Sequence, residues 1–175
     1  MLDQDGSRFL SALPSLRHLR SLALTASVLM GPGGLTKVLR TLSQHAPPGL
    51  HTLKLTSVIS IKHKEQTYYC QTVIRPMLPS FEPLRPLLVA GAAGAGPATL
   101  RELHLTRINF IGRAQLLELA AMDGLALRKL CVIGQAKTWC SPLRTWEDCR
   151  DRAVLVLRAA APSLEYVTVN DCVCR

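Results

Sequence analysis

Aromatic residues make up only 5% of this 175-residue chain, so its core has to be aliphatic, with leucine the main component. Long apolar runs are also missing. None reaches the roughly 18 residues that a membrane-spanning helix needs. The most apolar stretch, LLVAGAAGAGPATL (87–100), is short, rich in Gly and Ala, and broken by Pro97. The opening residues, MLDQDGSRF, place acids ahead of the first base and contain no apolar region. That pattern fails as a secretory signal and fits a transit peptide poorly. An intracellular setting, cytoplasm or nucleus, is the expectation, with no membrane partner.

No C-x-x-C pair occurs among the six cysteines, and Cys172-x-Cys174 has no matching second pair. A zinc site would need distant ligands to converge, so no metal is expected. Without a secretory signal the thiols read as reduced, and as small buried hydrophobes. Acids are absent between Asp5 and Glu65, where Arg8, Arg17, Arg20, Lys37, Arg40, Lys54, Lys62 and Lys64 lie with four histidines. Together with a formal net charge of +9, this stretch offers a surface for nucleic acid, acidic protein or anionic lipid. A solvated basic face with no dedicated ligand is the plainer reading. The scarcity of interleaved aromatics argues against single-stranded nucleic acid.

What the chain does contain is a recurring triplet. In ATLRELHLTRINF (98–110), Leu100, Leu103 and Leu105 stand at L-x-x-L-x-L spacing, and similar triplets occur in GLHTLKLTSV, LALRKLCVIG and PSLEYVTVND. The second positions of six candidate units are Leu22, Leu53, Leu87, Leu103, Leu130 and Val167. PSLRHLRSLAL (14–24) matches PSFEPLRPLLV (79–89) at four apolar offsets behind a shared Pro-Ser. The closing apolar-x-apolar of each triplet is period-two alternation, which predicts a half-buried strand. Short strands at intervals imply stacking side by side, and parallel stacking requires return connections.

Helical periodicity supplies those returns at 35–46 and 112–122, and at 143–161 before Pro162. A weaker helix is read at 67–78, where Pro76 interrupts it. The unit at Leu87 is the weak joint. Pro86 sits where a ladder donor is wanted, and residues 90–99 are too short for a return helix. The expected fold is α/β: a short irregular solenoid with a parallel sheet on the concave side and helices on the convex side.

Residues between the repeated leucines would then tile one outward sheet face. Thr25, Lys54, Thr56, His104, Thr106, Lys129, Cys131, Tyr166, Thr168 and Asn170 are the candidate partner-binding residues, a strip of mixed polarity suited to protein recognition. Threonine also simply favours strands. No catalytic site is expected. GAAGAG (91–96) lacks the Lys-Ser/Thr of a phosphate loop. A Cys131/His104 nucleophile would need an orienting group and a pocket that nothing announces. No cofactor is expected either.

The triplets resemble the leucine-rich repeat family, whose core reads L-x-x-L-x-L-x-x-N/C-x-L. The resemblance runs from about residue 14 to 172 and treats 1–175 as a single repeat domain or a fragment of a longer array. Only Cys172 falls on the Asn/Cys position; Ser27, Val58, Ala92, Ile108 and Gln135 occupy it elsewhere. Phrases such as LPSLRHLRSLAL and APSLEYVTV look most like the irregular arrays of fungal F-box proteins. That resemblance implies protein–protein recognition, as the substrate-binding part of an F-box-type ubiquitin-ligase subunit. A ligase adaptor would be a partner only through an F-box outside this chain, because none is visible within it. The alternative is a basic, nucleic-acid-associated protein.

Overall fold

The computed structural model of the chain describes residues 12–27, 34–58, 80–89, 100–106, 108, 113–133, 154–169 and 172–174. The helix read at 67–78, the connection at 90–99, the first part of the helix read at 143–161, and Asn170 lie outside these residues.

The described chain is α/β. Five strands pair in parallel and in sequence order: β1 (Ser21–Ser27), β2 (Thr52–Val58), β3 (Glu102–Thr106), β4 (Lys129–Ile133) and β5 (Tyr166–Val169). Their register aligns the triplets residue for residue. Leu22, Leu53, Leu103, Leu130 and Val167 form one row, and Leu24, Leu55, Leu105, Val132 and Val169 the next. All ten face inward, and only Leu24, on the edge strand, is less than fully buried. A shift of one residue in any strand would turn its apolar pair outward, so burial of this face fixes the register.

The leucine that opens each triplet sets the spacing of the strands. Leu50, Leu100, Leu127 and Leu164 are buried just ahead of β2 to β5. The carbonyl that follows each opening leucine accepts two N–H groups from the next unit. Arg20 O receives those of His51 and Thr52 (2.8 and 3.0 Å), and His51 O those of Arg101 and Glu102 (2.8 and 2.9 Å). Arg101 O serves Arg128 and Lys129 (2.7 and 3.0 Å), and Arg128 O serves Glu165 and Tyr166 (2.9 and 3.1 Å). Four equivalent joints satisfy the backbone at the N-terminal edge of the sheet without side-chain help.

Helices pack on the inner face and share one core with the strands. In α1 (Gly34–His45), Leu35, Val38, Leu39 and Leu42 form the buried stripe, and Pro47-Pro48 blocks its continuation. Leu116 and Leu119 anchor α3 (Arg113–Ala120). Gly124, at φ 75°, then makes a left-handed turn toward β4. Residues 154–160 form α4, held by Val154 and Leu157. No helix among the described residues is long and apolar enough to cross a membrane.

Two expectations need correction. The Leu87 unit is not a strand: residues 82–88 form a 3-10 turn (Glu82–Leu84) running into a short helix, α2 (Arg85–Leu88). Pro83 and Pro86 stand near the starts of these helical turns, where a missing N–H costs nothing, whereas a ladder would have needed it. Residues 82–88 therefore join the helix layer, and the near-copy PSLRHLRSLAL, which lacks those prolines, goes on to form β1. Phe81, Leu84, Leu87 and Leu88 are still buried, so the apolar spacing serves the same core from the other side. The second correction is β6 (Cys172–Cys174), which pairs antiparallel with β5, Val169 opposite Cys172.

Glu118 and Ser163 tie together segments far apart in the chain. The Glu118 carboxylate on α3 accepts the Ser80 hydroxyl (2.5 Å) and the N–H groups of Phe81 (3.1 Å) and Glu82 (3.2 Å). Ser163 donates to Leu125 O (2.7 Å), with Leu127 O 3.1 Å away. In both cases the serine comes from a Pro-Ser pair picked out in the repeat.

Candidate functional site

Alternation along five aligned strands puts three rows of side chains on the outward face. Ser21, Thr52, Glu102, Lys129 and Tyr166 form the first, and Ala23, Lys54, His104, Cys131 and Thr168 the second. Thr25, Thr56, Thr106 and Ile133 form the third. Nine of the ten residues expected on the strip thus lie on one face, and Asn170 lies outside the described residues.

They are not equally accessible. Lys54 and Thr25 are exposed, and His104, Lys129, Tyr166, Thr56 and Thr106 are half-buried. Cys131 and Thr168 offer almost no surface, at 9% and 5% exposure. Both side chains are short and stand on the same face as Lys129, Tyr166 and Ile133. The Thr168 hydroxyl is buried without a hydrogen-bond partner.

Close contacts organise the first two rows. Lys129 Nζ lies 5.3 Å from the centroid of the Tyr166 ring, within range of a cation–π interaction. His104 Nε2 lies 3.3 Å from Glu102 Oε2. The same register makes His104 and Cys131 partners across β3 and β4, the pair weighed as a nucleophile. The imidazole is turned to Glu102, the thiol is buried, and neither residue lines the cleft described next. Among the described residues no group of three or more His, Cys, Asp or Glu side chains is placed to hold a metal ion.

A cleft of about 450 Å³ runs along the N-terminal edge of the strands. It is lined by the first row from Ser21 to Tyr166 and by the residues one step earlier: Arg20, His51, Arg101, Arg128 and Glu165. Each of these five follows the opening leucine of its triplet. The carbonyl joints place them one per strand, and all are exposed. Four cationic side chains face two carboxylates in this cleft. Arg128 Nε lies 3.8 Å from Glu165 Oε1, and Arg101 Nη1 donates to Ala126 O at 2.9 Å.

Reading only the positions between strand leucines missed Arg101, Arg128 and Glu165, and left Arg20 and His51 inside an undifferentiated basic stretch. The signal was present: these five share one position of the repeat.

No family model, curated protein or solved structure matches the chain.

Proposed function

We propose that the chain is a protein–protein recognition module that binds its partner on the outward face of the parallel sheet. The repeat is read as a short, irregular leucine-rich-repeat solenoid with that face on its concave side. The observation carrying this reading is the continuous polar strip across five strands in strict register, with Lys54, His104, Lys129 and Tyr166 all turned away from the core. Its amphipathic ring and charged neighbours are the chemistry enriched at interface anchors. The role as substrate-binding part of an F-box-type ubiquitin-ligase subunit is proposed on the resemblance of the repeat phrases.

The test is capture of partners by the chain and by Tyr166→Ala and His104→Ala variants, with thermal melting measured in parallel. Both variants are expected to lose capture while their melting temperatures stay within a few degrees of the parent. The net charge of +9 favours a second reading, nucleic-acid association. It would show as binding that falls steeply with salt and responds to loss of Arg17, Arg20, Lys37 and Arg40 rather than of Tyr166.

A further inference from the structure

We propose that the cleft along the N-terminal edge of the strands is a docking groove for an acidic peptide segment. The peptide would lie extended across the strands, with its carboxylates over β1 to β3. This rests on reading the outward face as a protein-recognition surface, and it names the chemistry of the partner.

Charge in the cleft is unevenly compensated. At the β4–β5 end the cations already have neighbours: Arg128 faces Glu165 at 3.8 Å, and Lys129 lies over Tyr166 at 5.3 Å. The remaining carboxylate, Glu102, is turned to His104 at 3.3 Å. At the β1–β3 end, the side chains of Arg20 and His51 make no hydrogen bond or ion pair among the described residues. Arg101 uses only one of its five N–H donors, on Ala126 O. Two guanidinium groups flank an imidazole there, with the hydroxyls of Ser21 and Thr52 beside them. The backbone N–H groups at the start of β2 to β5 are consumed by the carbonyl joints, so recognition falls to these side chains. Guanidinium forks suit carboxylates because they bind both oxygens at once.

Strand spacing sets the length of the ligand. Steps of about 4.8 Å from β1 to β5 give about 19 Å, the span of about six extended residues at roughly 3.3 Å each. Arg20 and Arg101 stand two strands apart, about 10 Å, which matches acidic residues three apart in a polyproline-II chain, where the same face recurs every three residues at about 9.3 Å. A nucleic-acid strand fits the same cleft poorly. Its phosphates recur along the whole strand, so those at the β4–β5 end would meet Glu165, and Tyr166, the one Phe, Trp or Tyr lining the cleft, already has Lys129 over its ring. No series of rings is present on which successive bases could stack.

The experiment is selection of a random twelve-residue peptide library on the whole chain, followed by affinity measurements with synthetic peptides. Enriched sequences are expected to carry acidic residues about three apart. Their affinity should fall at least ~10-fold with Arg20→Gln and further with Arg20→Gln/Arg101→Gln, while Arg40→Gln on α1 changes it less than about 2-fold. Arg20 has no side-chain partner among the described residues, so Arg20→Gln alone keeps the test clear of misfolding. Enriched peptides without acidic residues, whose binding survives both substitutions but falls with Lys54→Glu or His104→Ala, would overturn the acidic groove and leave the recognition face standing. If no peptide is enriched and a single-stranded oligonucleotide binds with steep salt dependence, the groove and the recognition face are both overturned.

Discussion

Leu103→Ala is the substitution that most directly tests whether the aligned rows form one core. Leu103 has no exposed surface, sits on the central strand β3, and pairs with Leu53 on one side and Leu130 on the other. Truncation removes three buried carbons, about 2.4 kcal/mol at about 0.8 kcal/mol per methylene. With strands on both sides and helices beneath, the site collapses poorly, and the residual cavity adds about 1–2 kcal/mol. The expected loss is about 3.5–4.5 kcal/mol, a large part of the stability of a domain this size. Leu24→Ala, in the neighbouring row but half-buried on the edge strand β1, should cost about half as much. Thr25→Ala, exposed on the other face, should cost less than about 0.5 kcal/mol. Urea unfolding followed by circular dichroism reads all three as shifts in midpoint at constant slope. Equal losses for Leu103 and Leu24, or a loss below about 1 kcal/mol at Leu103, would refute the shared core.

Three further substitutions probe particular contacts. Thr168→Val replaces an unpartnered buried hydroxyl by a methyl group of the same shape, so the unfolding free energy should hold or rise by up to about 1 kcal/mol; a clear fall would contradict the orphaned hydroxyl. Glu118→Gln weakens the acceptor that gathers Ser80, Phe81 and Glu82 onto α3, and should cost about 1–3 kcal/mol in thermal or urea unfolding. Ser163→Ala removes the donor to Leu125 O, costing about 1–2 kcal/mol, and should speed amide exchange in the turn before β4.

Much of this architecture is legible because period-two alternation occurs in five units and a buried opening leucine in four of them, Leu19 being half-buried in the first, and both follow from packing against one helix layer. The Leu87 unit misleads because its apolar spacing alone does not distinguish strand from helix. Pro83 and Pro86 together decide it. Strand β6 escaped because Cys-Val-Cys is too short to show a period, and its pairing depends on a chain reversal that no alternation signals. The outward strip was readable because facing alternates strictly along a strand. Its edge was not, because Arg101, Arg128 and Glu165 precede the alternation, and only the backbone joints bring them into line. Spacing likewise gives the facing of Cys131 and Thr168 but not their burial.

The claim that the outward sheet face is a protein-recognition surface is tested most directly by site-specific photo-crosslinking in cells. One photoreactive residue replaces Lys54 on that face, and in a second chain one replaces Arg40, exposed on α1. The account predicts discrete protein adducts from position 54 and none in common from position 40. Adducts from position 40 alone, or nucleic-acid adducts in place of protein at position 54, would contradict it.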